Sequence, residues 1–215
     1  SWDLDLMRQT AAIAAEEASA DGIKWTFAPM VDISRDPRWG RVMEGAGEDP
    51  FLVSEIGKAR VQGFQGGSDW HSLSKTNTLL ACVKHFAAYG AAESGRDYNT
   101  AELSQHTLWN AYLPPYKAAI DAGVGTVMAS FNEVNGIPAT ANRYLMTDIL
   151  RKEWGFKGFV VSDYTGINEL VPHGIAEDNK HAAELAINAG IDMDMTGTNF
   201  IKHLKKSVEE GKVKE

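Results

Sequence analysis

Polar groups able to do chemistry stand where the apolar runs of this chain end. Lys84 and His85 close LLACVKHF, Asn132 follows TVMASF, Asp163 closes GFVVSD, and Asp192 and Asp194 lie in IDMDM. A Lys at the end of a buried run must be paired or reach an open pocket. In a pocket its amine can hold a polar substrate or, in a lyase or aldolase, condense with a carbonyl carbon. Asp163, before YTG, either caps the following turn or carries chemistry. His85 taken alone reads as a satisfied core histidine. Asp192 and Asp194 share one strand face, which is compatible with a metal site, although ion pairs to neighbouring helices explain them better.

A second polar concentration lies in DISRDPRWGRVMEGAGEDP, where Arg35, Arg38 and Arg41 interleave with Asp32, Asp36, Glu44, Glu48 and Asp49. Exposed ion pairs, each worth at most about 1 kcal/mol, could occupy a solvated loop. Trp39 in its middle argues instead for a loop that packs down. Arg and carboxylate groups give directional hydrogen bonds to hydroxyls and an aromatic gives a stacking face, so this composition suits a sugar pocket.

The elements that must position these groups follow a repeat: an apolar run, a polar loop, then a longer helical stretch. Strands are expected at 25–33, 79–86, 126–131, 158–163 and 191–195, and helices at 51–64, 104–122, 142–154, 177–189 and 199–210. An earlier helical pattern runs through Leu6, Met7, Ala11, Ile13, Ala14 and Ala18. Gly22, Gly123, Gly155 and Gly190 precede strands, where helices end in left-handed backbone. Strands joined by helices run parallel and are buried on both faces, which fits runs such as FVV. The fold class expected is α/β, the C-terminal part of a (β/α)8 TIM-like barrel with parallel strands alternating with helices. Residues 1–215 form one incomplete barrel domain in this reading. The strand-end polar groups then share the face on which such barrels place their active sites.

The balance of charge narrows the partners. The 215 residues carry 21 Lys plus Arg against 29 Asp plus Glu, a net charge of -8. Nucleic-acid and anionic-membrane surfaces need clustered cations and are set aside. No apolar run approaches the roughly 18 residues of a membrane span. Cys82 is the single cysteine, so neither a disulfide framework nor a cysteine zinc site is expected. No phosphate-cradling glycine fingerprint follows a strand. No cofactor and no metal are expected, and oligomeric state is not legible.

DPRWGR followed by GEDP, KHF, SFNEVNG and GFKGFVVSDYTGINEL, in that order, resembles glycoside hydrolase family 3, the β-glucosidase and β-xylosidase family, and most closely its bacterial periplasmic branch. The resemblance implies hydrolysis of terminal β-glucosyl or β-xylosyl residues with retention, on a β-glucoside or oligosaccharide substrate, in a periplasmic or secreted enzyme. Asp163 of SDY matches the nucleophile. Arg41 of RWGR, with Lys84 and His85 of KHF, matches positions that hold the hydroxyls of the sugar being cleaved. Phe131 stands where the family often has Tyr. The loop after KHF reads AAYG, with Tyr89 where the β-N-acetylglucosaminidase branch has a catalytic His. The acid/base is therefore expected to be a Glu in a following α/β sandwich domain that this chain does not contain.

Adjacent residues on a regular strand face opposite sides. For Lys84 and His85 to enter one pocket the backbone must depart from strand geometry near Lys84–Phe86, with a cis peptide bond as one way to do so. Two other readings compete with the glycosidase: a Schiff-base lyase using Lys84, and a sugar-binding fragment without activity.

Overall fold

In the computed structural model, which describes residues 2–214, the apolar runs form a parallel wall. Strands β1 (Cys82–Phe86), β2 (Thr126–Ala129) and β5 (Phe159–Val161) pair in the order β1–β2–β5, with Cys82 opposite Thr126 and Thr126 opposite Phe159. Two further segments extend the wall in chain order. On the β1 side, Thr26 donates to the Leu80 carbonyl at 2.9 Å and Val31 to that of Lys84 at 2.9 Å. On the β5 side, Ser162 donates to the Met193 carbonyl at 2.9 Å and Thr165 to that of Met195 at 3.0 Å. Parallel strands in sequential order, alternating with helices, make a TIM-barrel-like α/β fold, as the sequence pattern implied.

The outer segments differ from the expected strands. Residues 25–33 touch β1 through single bridges at Trp25 and Met30, because Pro29 has no N–H and follows a cis bond to Ala28. Residues 191–195 form an isolated bridge, Met193 to Val161, flanked by single hydrogen bonds from Asp192 to Val160 and from Thr165 to Met195, in place of a regular strand. A small hairpin went unanticipated: β3 (Glu133–Val134) and β4 (Ile137–Pro138) are antiparallel around Asn135 and Gly136, at φ 52° and 81°. An Asn-Gly pair with both residues left-handed is the preferred two-residue hairpin turn.

The helices are α1 (Leu4–Ala20), α2 (Pro50–Gln65), α3 (Gln105–Thr107), α4 (Pro114–Asp121), α5 (Asn179–Ala189) and α6 (Asn199–Glu209). The motif GEDP is the start of α2: Asp49 accepts the Leu52 N–H at 2.7 Å and Pro50 sits at the first turn, where its missing N–H costs nothing. The single helix expected over 104–122 is instead α3, a π-helical turn at Leu108–Tyr112 and α4. Pro114 and Pro115 cannot donate to the preceding turn, so the regular ladder breaks there. The 142–154 helix is π-helical over Tyr144–Glu153.

Alternate residues of the wall serve two sides. Val83, Val127 and Val160 join Tyr116, Leu145, Ile149 and Leu150 in the main core against the helices. Cys82, Met128 and Val161 form a separate cluster on the other face, with Trp25, Phe159 and Met195 against it. The pairing of β1 with β2 contains one irregularity: Val83 opposes Val127, yet Phe86 opposes Ala129. Three steps along β1 match two along β2, so β1 carries one extra residue, and Val83 and Phe86 both pack against the helices. Lys84 and His85 occupy the interval between them. The Lys84–His85 and Phe86–Ala87 peptide bonds are cis, a departure from strand geometry at the position the sequence argument required.

Candidate active site

β5 ends at Val161, and the chain continues through buried Ser162 to Asp163. The turn that follows accounts for half of the Asp163 carboxylate: Oδ1 accepts the Tyr164 N–H at 2.6 Å. Oδ2 is buried and has no hydrogen-bond partner. It lies 3.6 Å from Nε2 of His85, which arrives from the end of β1. The capping reading of Asp163 thus explains one oxygen and leaves the other turned toward a histidine.

His85 is itself almost fully buried, and its other ring nitrogen meets Asp32 Oδ2 at 2.8 Å. Asp32, at the end of the 25–33 segment, is 1 % exposed and lies behind the histidine. Tyr89 packs edge to face on His85 with centroids 5.1 Å apart, on Trp39 at 5.2 Å and on Phe131 at 6.1 Å. The Arg41 guanidinium stands over the same Tyr89 ring at 5.4 Å. Tyr89 therefore connects Arg41, His85 and Phe131 as one packed unit. Its burial pushes the phenol well above its ordinary range, so it is a neutral partner.

Arg41 forms a bidentate pair with Glu44, Nε to Oε1 at 2.6 Å and Nη2 to Oε2 at 2.8 Å. This pair holds the Glu44 carboxyl below its usual range, and the Lys84 charge adds to the effect. Lys84 is half-buried and forms no ion pair among the described residues. The loop carrying Arg41 is fixed by buried Trp39, whose indole N–H donates to Asp97 at 2.9 Å. Gly90 passes so close to it that a Cβ there would lie 2.3 Å from the Ile33 carbonyl oxygen.

Several contributors were not singled out as site residues from sequence. Tyr98 lies against Phe131 with centroids 4.5 Å apart, and burial together with the charges of Glu169, Asp97 and Asp163 raises its pKa. Glu169 is raised by burial, with the Asp163 charge acting in the same direction. Tyr98 is at φ 65°, a conformation no residue-type rule would suggest for it. Asn132 holds the loop after β1 through the carbonyls of Ala87 and Ala88, at 3.4 and 3.5 Å. Asp192 and Asp194 stay apart from this cluster. Asp192 pairs with Arg151 and accepts the Val160 N–H at 2.7 Å, while Asp194 accepts the Asn199 N–H at the start of α6 at 2.5 Å. Among the described residues, no three His, Cys, Asp or Glu side chains group as a metal would need.

A parallel β/α wall with the Asp163 carboxylate, the His85 imidazole and, across Tyr89, the Arg41 guanidinium brought together beyond its strand ends defines the class as a TIM-barrel-like domain with a polar cluster at those ends. Residues 1–215 match the glycosyl hydrolase family 3 N-terminal domain, and the chain belongs to that family. It is 48% identical to a periplasmic β-glucosidase of Salmonella typhimurium over 213 residues, 99% of this chain and 27% of that protein. It is 40% identical to a β-xylosidase of Formosa agariphila over 198 residues, 91% of this chain and 27% of that protein. The crystal structure of β-glucosidase from Listeria innocua in complex with glucose superposes with a TM-score of 0.97 at 50% identity, covering 100% of this chain and 30% of that one. The chain spans less than a third of the length of these relatives.

Proposed function

We propose that the protein to which this chain belongs hydrolyses terminal non-reducing β-D-glucosyl residues with retention of configuration, with β-xylosides as the nearest alternative substrates. Asp163 is the nucleophile, and the observation that carries this reading is its buried, unpartnered Oδ2 beside His85 Nε2. Arg41, Lys84 and His85 hold sugar hydroxyls, and Phe131 with Tyr98 offers an aromatic wall. Glucose in the Listeria innocua structure, and the β-glucosidase and β-xylosidase names of the relatives, support this substrate class. The periplasmic relative supports a periplasmic or secreted location.

In the first step Asp163 Oδ2 attacks the anomeric carbon as the glycosidic C–O bond breaks, and a carboxylic acid gives its proton to the departing oxygen. Water then attacks the same carbon, its proton returns to that carboxylate, and Asp163 leaves as an anion. Retention needs the two carboxyl groups about 5–5.5 Å apart. The acid is a Glu outside these 215 residues, in a following domain.

The test uses the full-length protein and a 2-fluoro glucoside with a good leaving group, which slows breakdown of the covalent intermediate. Peptide mapping should find the fluorosugar on the peptide containing Asp163. A label elsewhere overturns the assignment, and so does a reduced adduct on Lys84 after borohydride treatment with a carbonyl substrate.

A further inference from the structure

The buried groups behind His85 do more than fill space. Asp32 Oδ2 accepts the backbone N–H of His85 at 3.1 Å and faces its Nδ1 at 2.8 Å. Asp32 Oδ1 accepts the Tyr116 hydroxyl at 2.8 Å, and the same hydroxyl lies 2.6 Å from the His85 carbonyl oxygen. Asp32 Oδ2, the oxygen that faces the ring, already accepts the His85 backbone N–H, so it offers the ring an acceptor site and Nδ1 carries the hydrogen. Tyr116 stays a donor because burial, reinforced by the Asp32 charge, raises its phenol far above the ordinary range. His85 is thus held at its backbone N–H and one ring nitrogen, the single Tyr116 O–H is shared between its carbonyl and Asp32, and Tyr89 limits rotation of the ring from the side.

We infer that Asp32 and Tyr116 are positioning residues that fix the tautomer and plane of His85, so that Nε2 is the nitrogen presented to Asp163 and to the sugar. The inference rests on the glycosidase reading of this site. A flipped ring would turn Cδ2 toward Asp32 and Cε1 toward Asp163, losing both contacts, so the Asp32 hydrogen bond holds the ring in the orientation that presents Nε2. Asp32→Asn can bring an amide N–H against Nδ1 and drive the proton to Nε2, the inversion by which an Asp-to-Asn change disables a Ser-His-Asp triad without moving it. Tyr116→Phe removes a single hydroxyl and loosens Asp32 without adding a donor.

The test compares Asp32→Asn and Tyr116→Phe in the full-length enzyme and again in a His85→Gln background. Alone, Asp32→Asn should lower kcat/KM about 100-fold and Tyr116→Phe about 10-fold, as losses of supporting hydrogen bonds do around ligating histidines. In the His85→Gln background each should cost less than about 3-fold, since residues that act through a third lose their effect when it is gone. Selective ¹⁵N labelling of histidine adds a readout independent of which carboxylate attacks: His85 should carry its hydrogen on Nδ1 in the wild type and on Nε2 in Asp32→Asn. An unprotonated Nδ1 in the wild type overturns the inference even if Asp163 is the nucleophile. Losses of equal size in the wild-type and His85→Gln backgrounds overturn it as well. Should Asp32→Asn fail to fold, Tyr116→Phe carries the kinetic comparison, and the wild-type ring signal carries the other.

Discussion

Three carboxylates stand at adjacent ends of the same wall, and they meet different fates. Asp192 is engaged by Arg151 and the Val160 N–H, and Asp194 accepts the N–H groups that open α6, Asn199 and Phe200. The spare oxygen of Asp194 is wedged beside Gly197 and the amides of Asn168 and Asn199. Asp163 spends one oxygen on its own turn and turns the other toward a histidine. A strand-end position therefore makes an acid available without making it reactive. Asp194 Oδ1 is buried without a hydrogen-bond partner just as Asp163 Oδ2 is, so what separates the three is the histidine: Asp163 alone turns its free oxygen to the imidazole of His85.

The sharpest way to break this comparison is to exchange the acids themselves for amides. In the full-length protein, Asp163→Asn should lower glucoside turnover by at least about 10³-fold while ground-state sugar binding survives, and Asp192→Asn should leave turnover within a few-fold. Equal losses at both sites, read by steady-state kinetics and calorimetric sugar binding, would erase the distinction. Next in size, Asp192→Ala strands Arg151 and the Val160 N–H together, and should cost about 1–2 kcal/mol in a denaturant titration. Asp194→Ala removes an acceptor at the start of α6 and should cost about 1 kcal/mol by the same measurement.

The smallest effect concerns Glu44, whose carboxyl is held down first by Arg41. A depressed folded-state pKa contributes stability that is complete above the unfolded value, near 4.5, and is lost as pH falls through the lower folded value. Glu44→Gln should lower the melting temperature slightly at neutral pH, and the difference from the wild type should disappear as pH falls below about 4.5 through the lower folded value. Because the pair is partly exposed, added salt should shrink the difference.

These contrasts also explain what could be read in advance. β1, β2 and β5 were legible because buried parallel strands are written as continuous apolar runs, and Asp163 and His85 because they end such runs. Residues 25–33 have an equally apolar sequence, but Pro29 removes a donor and splits the pairing into two bridges. The π-helical stretches keep helix-forming residues while changing the turn, which a 3.6-residue pattern does not resolve. The real place of Asp32 was hidden for a different reason. Its neighbours His85 and Tyr116 lie 53 and 84 residues away in sequence, and contacts of that span leave no local period to detect. Tyr89 was noted for the histidine it replaces, whereas its work is to join Arg41, His85 and Phe131.

The extra residue of β1 has a meaning in terms of parity. Along a strand, odd and even positions are two separate alphabets, one written for the core and one for the cavity. One supernumerary residue between Val83 and Phe86 resets the count, so that two consecutive letters are read by the cavity and the core resumes its text without an error. Deleting one residue in that interval would restore two-for-two alternation with β2: Phe86 would still meet Tyr116 and Trp154, and a single side chain would be left for the cavity. Insertion of one residue is thus a compact way for a barrel strand to double the density of polar groups at its mouth, and a designer could use it where a longer loop would be too loose.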